Sequence, residues 1–284
     1  MIRKFLTAQY SRYGYYHFLR ESLKQKKFEY SDIVSPKNKN AEEIVIVGSG
    51  ESLNDLSQEE IIKYGEMDSI GINFSGFHKS LKCKECLIEL KPDSYSLFAK
   101  LITNNPGQKM YINHFMAKNL KDQDILIDLY SKKNIFSFDV VRFRSSSIST
   151  FRRLMSFHLR IGHFFVRKPI HNGASLVMAL TIAAIRKYKR IHIVGVDLNG
   201  SNYFYENGDY LGHPWEELCS RRTPEVISFE KNNKKHATQS SEFAQQWQEF
   251  SIDETVPFII DYLKNCDVQI VVPNPASGFN AYLK

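Results

Sequence analysis

Two glycines directly after a buried strand are the first residues in this chain whose type and spacing could do chemistry. Residues 44–53 read Ile-Val-Ile-Val-Gly-Ser-Gly-Glu-Ser-Leu, and the four β-branched residues predict a parallel strand that stops in a turn at Gly48, Ser49 and Gly50. Leu53, Leu56 and Ile61 follow at roughly helical spacing. A glycine turn leaves backbone N–H groups uncovered, and a helix after it adds the positive end of its dipole. The pattern therefore favours a phosphate site.

This turn completes neither of the two common phosphate-binding motifs. Leu53 occupies the third glycine position of the dinucleotide fingerprint, and no Gly-Lys-Ser/Thr of a P-loop is present. A tight strand–helix connection without a ligand explains the pattern equally well.

A carboxylate and a second glycine-containing turn are expected at the same place. Residues 190–197, Arg-Ile-His-Ile-Val-Gly-Val-Asp, form the clearest central strand and end in Asp197. Before them, Asn172 and Gly173 open an apolar, Ala-rich helix whose N-terminus is a second candidate for ligand binding. In open α/β sheets ligands bind at the carboxyl ends of the strands. Asp197 then binds a ligand hydroxyl or amide, or it caps the following loop.

The elements that must position these residues alternate between strands and helices. Further strands are predicted at 68–73, 86–90, 109–113, 134–138 and 268–272. Helical patterns lie between most of them, which implies a mostly parallel sheet with right-handed crossovers. The sequence therefore predicts a single Rossmann-like α/β/α sandwich over residues 43–284. Residues 199–237 lack clear periodicity and are predicted to be a lid.

The first 42 residues are predicted to be a separate basic, aromatic extension. Residues 1–40 carry nine Lys and Arg against three acidic residues, a balance of +6 within a net charge of +7. A helix of this composition can lie on an anionic membrane, pack on the main domain or form an oligomer contact. Nucleic acid is not expected, because no recognised binding module follows.

A second basic stretch spans residues 142–168 and has no acidic residue in it. A cationic surface of this kind attracts an acidic substrate or an acidic glycolipid, or it pairs with carboxylates of the protein itself. The sequence leaves both possibilities open. Its basic residues are Arg142, Arg144, Arg152, Arg153, Arg160, Arg167 and Lys168.

No motif predicts a metal or a cofactor. Asp122 and Asp124 have the spacing of the D-x-D motif of some glycosyltransferases, but a solvated helix start explains them better than a strand end. Cys83 and Cys86 lack a second ligand pair for zinc, so the four cysteines are expected to be reduced. With neither a signal peptide nor a spanning helix evident, we expect a cytoplasmic protein, peripheral on the inner face of the cytoplasmic membrane if residues 1–40 bind there.

Taken together, the two separated motifs resemble a known family. Val-Gly-Ser-Gly-Glu-Ser-Leu and His-Asn-Gly-Ala-Ser followed by Ile-His-Ile-Val-Gly-Val-Asp are similar to motifs of the small bacterial sialyltransferases that decorate lipooligosaccharide from CMP-sialic acid. The resemblance covers about residues 43–278 and implies a Rossmann-like fold and a CMP-sugar donor. It assigns nucleotide binding to these residues: Gly48, Ser49, Gly50, Ser52, Asn73, Asn172, Gly173, Asp197, Tyr203 and Tyr205.

Departures from the family pattern leave the donor sugar open. Glu51 stands in place of a proline, Lys91 of an asparagine and Asn172 of a serine. The related CMP-linked sugar Kdo is therefore a rival to sialic acid, and the acceptor is expected to be a bacterial surface glycan or glycolipid.

The mechanism that the resemblance implies is inverting and needs no metal. A histidine removes the acceptor hydroxyl proton, since its pKa lies near the working pH, and tyrosine hydroxyls and backbone N–H groups stabilise the departing CMP. His236, in a polar loop before a helix, is preferred as the base, with His213 as its rival.

Two other classes of protein remain as alternatives. A pterin pyrophosphokinase-like or other phosphate-handling enzyme shares the glycine turn but would need acidic Mg²⁺ ligands at strand ends. A non-catalytic nucleotide- or glycan-binding subunit would need no base. A homo-oligomer is compatible with either alternative or with the sialyltransferase-like reading.

Overall fold

A seven-stranded, wholly parallel β-sheet forms the centre of the protein. The computed structural model describes residues 41–89, 95–104, 108–113, 135–138, 140–143, 145, 147–162, 168–199, 202–206, 209–210, 215–220, 224–246 and 249–284. Its strands are β1 (Glu43–Val47), β2 (Asp68–Ile72), β3 (Glu85–Glu89), β4 (Lys109–Asn113), β5 (Ile135–Phe138), β6 (Arg190–Val194) and β7 (Gln269–Val271). The predicted strands are confirmed to within one to three residues at their ends.

The order of the strands places β1 in the interior of the sheet. From edge to edge it is β5-β4-β3-β2-β1-β6-β7, so the chain moves outward from β1 to β5 and then returns to pair β6 with the other side of β1. Ligand crevices in such sheets lie where the strand order changes direction, outside the carboxyl ends of the strands. Here that position is between β1 and β6.

Helices lie on both faces of the sheet. In the described residues they are α1 (Gln58–Glu66), α2 (Tyr95–Asn104), α3 (Ile148–Phe157), α4 (Ser175–Ile185), α5 (Trp215–Cys219), α6 (Pro224–Asn233), α7 (Ser241–Gln245) and α8 (Ile252–Lys264). Ile44 and Ile46 of β1 pack with α3, α4 and α8 on one face, whereas Val45 and Val47 pack with α1 and α2 on the other. Alternate residues of β1 thus pack into two hydrophobic cores on opposite faces of the sheet, which confirms the predicted Rossmann-like α/β/α sandwich.

Helix α4 is the most deeply buried helix described. All of its residues except Ala184 are buried, and its small side chains allow close packing against the sheet. The prediction of an apolar helix opened by Asn172 and Gly173 is confirmed.

Several predictions fall outside the described residues. These are residues 1–40 of the basic extension, the Asp122 and Asp124 pair, Lys91, His213, and Arg144 and Arg167 of the second basic stretch. The described part of residues 199–237 contains α5 and α6, so the segment has regular elements that its composition did not reveal, and its role as a lid stays a prediction. None of the described helices is long and apolar enough to cross a membrane.

Candidate active site

Four neighbouring strands present polar groups at one edge of the sheet. Strand β3 ends in Glu89, and β2 is followed directly by Asn73. Strand β1 is followed by the Gly48–Gly50 turn, and β6 leads to Asp197. Asn73 has a left-handed backbone (φ 53°), which asparagine tolerates better than most residues. The edge predicted from the sequence therefore exists, with the expected residues on it.

The glycine turn is closed by Asp197. One carboxylate oxygen of Asp197 accepts a hydrogen bond from the Ser52 backbone N–H at 3.0 Å, and the other accepts from the Ser52 hydroxyl at 2.5 Å. The Asp197 carboxylate thus binds a hydroxyl and an amide N–H of the protein itself, whereas the expectation was a ligand group or a cap on the following loop. We conclude that Asp197 positions the turn.

The glycines are needed for close approach between β1 and β6. A Cβ atom on Gly48 would lie 2.3 Å from the Gly195 carbonyl oxygen, and one on Gly50 would lie 2.3 Å from Oδ2 of Asp197. The backbone N–H groups of Gly48 and Gly50 donate to the carbonyls of Val194 and Gly195 at 2.8 and 2.7 Å. A larger residue at either position would require its neighbours to shift.

The interpretation of this turn as an open cradle of N–H groups needs correction. Besides Gly48, Gly50 and Ser52, the N–H of Glu51 donates to the Asn202 carbonyl and that of Leu53 to the Gly50 carbonyl. These five N–H groups are already satisfied within the protein, by β6 and the residues just after it, by the returning loop at Asn202 and by the turn itself. These five N–H groups are therefore not free donors for a ligand.

That returning loop carries the two predicted tyrosines. Tyr203 forms an antiparallel bridge with Gly50, and the Phe204 N–H donates to the Ser49 carbonyl at 3.0 Å. The ring of Tyr205 stacks on that of Tyr203, with centroids 5.2 Å apart, and on Trp215 at 5.8 Å. The loop is thus fixed over the turn by main-chain pairing and by aromatic packing.

The predicted base, His236, contacts the same loop. Its Nε2 lies 3.0 Å from the Tyr203 hydroxyl and 3.6 Å from a carboxylate oxygen of the buried Glu230. On the other side of the ring, Nδ1 accepts from the Thr238 backbone N–H at 3.3 Å. In a neutral imidazole this places the proton on Nε2, which then donates to Tyr203.

Asn73 and Asn172 have mainly internal partners. Asn73 accepts from the Glu89 N–H at 3.1 Å and donates to the Ser175 hydroxyl at 3.3 Å. Asn172 exchanges hydrogen bonds with the backbone of Phe250, donating at 2.8 Å and accepting at 3.3 Å. Asn172 thus holds the loop before α4 against the loop before α8. Gly173, with φ 72°, lies in the same loop where a Cβ would meet the Phe250 carbonyl at 2.6 Å.

A buried charge cluster beside these residues was missed by sequence reasoning. His171 contacts the Glu89 carboxylate through Nε2 and lies 3.3 Å from the Glu249 carboxylate through Nδ1, while Arg142 pairs with Glu249. The Ser175 hydroxyl and the Gly173 N–H donate to Glu89 and Glu249 respectively. Glu89 ends an apolar strand in a polar residue, the same signal that identified Asn73 and Asp197.

The cluster shifts the ionisation of its members in opposite directions. Burial alone would lower the pKa of His171, but the charge of Glu89 and hydrogen bonds to Glu249 and Glu89 raise it to about 9. Burial would raise the pKa of Glu89, but His171 and the Ser175 hydroxyl lower it to about 2. Glu89 is the most open of the four side chains at 28% exposed, against 7–11% for the others. An ionised carboxylate therefore faces solvent beside Asn73.

Acidic metal ligands are not assembled in the part of the chain that the structure describes. It holds no group of three or more His, Cys, Asp and Glu side chains in reach of a common ion. The carboxylates of Asp197 and Glu89 are engaged by Ser52 and by His171 with Ser175. Cys83 and Cys86 are free and buried, and burial raises the pKa of the Cys83 thiol to about 12.

Among the comparisons with known proteins, only the one with solved structures found similarity to this chain. No family model matches the chain, and no curated protein matches it. It is similar to the sialyltransferase CstII from Campylobacter jejuni in complex with a substrate analogue, cytidine-5'-monophosphate, at 13% identity and a TM-score of 0.42, over 85% of this chain and 83% of that one. It is also similar to the monofunctional alpha-2,3-sialyltransferase Cst-I from Campylobacter jejuni, at 14% identity and a TM-score of 0.44, over 90% of this chain and 82% of that one. Identity and TM-score are too low to assign a family or an activity.

Proposed function

We propose that the chain is a glycosyltransferase that moves sialic acid, or a related keto-sugar acid such as Kdo, from a CMP-activated donor to a bacterial surface glycan. The observation that carries the proposal is the position of Tyr203. Its backbone pairs with Gly50 of the glycine turn, and its hydroxyl lies 3.0 Å from Nε2 of His236. A candidate base is thereby held next to the turn that the motif resemblance assigns to the nucleotide.

Within this proposal the site residues divide into two groups. Ser49, Asn73, Tyr203 and Tyr205 contact the nucleotide through their side chains. Gly48, Gly50, Ser52, Asn172, Gly173 and Asp197 instead shape the edge, since the Asn172 and Asp197 side chains are buried and the N–H groups of the other four bond within the protein. The second group supports binding by keeping the first in place.

The transfer itself is a single displacement at the anomeric carbon. The acceptor oxygen forms its bond to that carbon as the bond to the CMP phosphate oxygen breaks, and the electron pair leaves with the phosphate. The acceptor hydroxyl proton passes to His236, and the tyrosine hydroxyls donate to the departing phosphate. Because Nε2 carries the proton in the tautomer described above, proton removal uses the other tautomer, in which Nδ1–H donates to the Thr238 hydroxyl oxygen at 2.8 Å and Nε2 accepts the proton of the acceptor.

The first test is ligand stabilisation of the full chain. A ligand that binds only the native state raises its melting temperature by mass action, so CMP is expected to stabilise the protein more than CDP, UDP, GDP, ATP or S-adenosylmethionine. Preference for ATP or GDP would instead favour the phosphate-handling alternative.

The second test compares His236→Ala with Lys235→Ala, which alters the neighbouring, exposed side chain. Loss of a general base is expected to lower CMP release from CMP-sialic acid or CMP-Kdo with acceptor by about 10²–10⁴-fold. CMP stabilisation should persist in both variants. Normal turnover in His236→Ala would remove the base assignment, and CMP binding without turnover in the native protein would favour a binding subunit.

A further inference from the structure

An apolar stripe runs along the outer side of α3 and the turn that follows it. Leu154, Phe157 and Ile161 are 39%, 58% and 50% exposed. With Ile62 they are the large hydrophobic side chains most exposed in the described residues. Three of these four thus lie together, at spacings of three and four residues, on one face of a single helical segment that ends in a π-helical turn, His158–Gly162.

Two cations flank this stripe. Arg153 and Arg160 are exposed, and neither has a carboxylate within ion-pair distance among the described residues. No acidic residue occurs anywhere between positions 142 and 168. The stripe and its arginines form one surface, which we call the α3 surface and define as Arg153, Leu154, Phe157, Arg160 and Ile161.

The opposite side of α3 is fixed to the candidate site. The Phe151 ring packs on Phe250 with centroids 5.0 Å apart, and Phe250 is the residue whose backbone Asn172 holds. Tyr262 of α8 donates to the Leu159 carbonyl at 3.2 Å. The apolar side chains of the α3 surface therefore point outward on a rigidly packed element.

We propose that the α3 surface docks the protein on an anionic lipid bilayer. Apolar side chains that enter the headgroup region beside arginines are what such a bilayer accommodates, and the absence of acidic residues from positions 142–168 makes the charge of this segment complementary. The location differs from the basic extension at residues 1–40. Because α3 packs on Phe250, which Asn172 holds, docking there would, under the proposed function, bring the candidate site close to a lipid-linked acceptor.

The decisive measurement is position-specific insertion. Phe157→Trp in the full chain, mixed with phosphatidylcholine vesicles containing phosphatidylserine and brominated lipids, should show tryptophan quenching beyond that of the unaltered protein. Ile62→Trp is the matched control, because Ile62 is 53% exposed on α1 but adjoins Glu59 and Glu66. It should add no quenching, and neither variant should be quenched by vesicles of phosphatidylcholine alone.

Charge reversal gives an independent readout by sedimentation with the same vesicles. Each basic residue near an anionic surface contributes a factor of about five in binding, so Arg153→Glu with Arg160→Glu should weaken binding more than twentyfold. Binding should also fall steeply with added salt. All changed positions are exposed, so melting temperatures should stay close to that of the native protein.

Three outcomes would overturn the proposal. Sedimentation without added quenching at position 157 would place the lipid contact elsewhere, such as residues 1–40. Absence of vesicle binding would dismiss the surface as a membrane contact. A change from oligomer to monomer in Phe157→Ser, seen by light scattering without lipid, would show that a second copy covers the stripe. None of these outcomes bears on CMP binding, so the proposed function is tested independently of this proposal.

Discussion

The Tyr203 hydroxyl lies 3.0 Å from Nε2 of His236, although the two residues are 33 positions apart in the chain. Tyr203 is fixed by its bridge to Gly50, and His236 by its bond to the Thr238 N–H at the start of a short 3₁₀ turn. Two independently anchored elements thus meet through one hydrogen bond. The hydroxyl can orient the imidazole and donate to a departing phosphate.

Tyr203→Phe separates these functions from packing, because it removes the hydroxyl and keeps the ring. We expect kcat for CMP release to fall by about 10²-fold, with an altered pH dependence, since one donor to the phosphate and one partner of His236 are lost. The matched control is Tyr188→Phe, which loses a 2.8 Å hydrogen bond to Asp68 at the opposite end of the sheet. That variant should lower the melting temperature without changing turnover. Equal effects on turnover would contradict the role of Tyr203.

Ser52 and Asp197 are predicted to be energetically coupled. Asp197→Asn and Ser52→Ala each remove part of the two-fold contact that closes the glycine turn. We expect losses of about 1–3 kcal/mol in the free energy of unfolding, and a coupling energy of roughly 0.5–3 kcal/mol in the double-mutant cycle. Urea denaturation of the four proteins measures both quantities. Strict additivity would show that the contact contributes little to stability.

Gly50→Ala tests whether the glycine is needed for space. The backbone of Gly50 has φ −69°, which alanine adopts without strain, so the effect comes from the Cβ contact 2.3 Å from Asp197. A loss of about 1–3 kcal/mol is expected from this overpacking. Gly65→Ala in α1 is the control, since nothing lies within 4 Å of its added Cβ. It should stabilise the helix by about 0.5–1 kcal/mol.

Stability is predicted to peak near pH 6.5. The pKa of His171 is raised to about 9 from 6.5, so its contribution is complete below pH 6.5 and is lost as the pH rises through 9. Burial, with the charges of Lys82 and Lys79, lowers the pKa of His78 from 6.5 to about 4. The native state therefore binds this proton less readily than the unfolded chain, and the free energy of unfolding falls as the pH drops from 6.5 to 4. Below pH 4.5 the free energy of unfolding continues to fall, because His171 and the Ser175 hydroxyl outweigh burial and hold the pKa of Glu89 near 2.

His171→Gln tests whether His171 causes the loss of stability between pH 6.5 and 9. Chemical denaturation between pH 6.5 and 9 should show a flat free energy of unfolding in the variant, against a fall on the order of 3 kcal/mol in the native protein. At pH 6.5 the variant should be less stable, since the partly buried carboxylates of Glu89 and Glu249 lose their shared partner. His192→Gln, at the amino end of the sheet beside Glu43, should keep the alkaline fall. A native profile without that fall would show that His171 is not charged in the cluster.

The sequence predicted where the site lies better than how its groups are used. Runs such as Ile44–Val47 and Arg190–Val194 predicted strands, and the polar residues after them predicted the edge. Nothing in the sequence showed that Asp197 accepts from Ser52 or that the Glu51 N–H meets Asn202. A backbone N–H in a glycine turn looks the same whether its partner is a phosphate or a distant loop. Glu89 was missed because its importance comes from His171, whose partners lie on other elements.

The basic stretch illustrates the same difficulty. Arg142 pairs with the protein's own Glu249, whereas Arg153 and Arg160 on the next helix face outward. Pairing with the protein's own carboxylates is therefore observed for Arg142, whereas attraction of an acidic ligand by Arg153 and Arg160 stays a prediction. Charge alone could not distinguish these arginines, because the difference depends on whether a carboxylate from a distant part of the chain, such as Glu249, comes within reach.

The position of β1 in the interior of the sheet has a consequence for how the protein is made. Its pairing with β6 joins residues 43–47 to residues 190–194, and the Ser52–Asp197 contact spans 145 positions. A nascent chain that has not yet reached Arg190 leaves one side of β1 as an unpaired edge, which can associate with other chains. The centre of the molecule is thus completed late in synthesis, and we expect truncated products ending before β6 to aggregate rather than to accumulate as a partly active form.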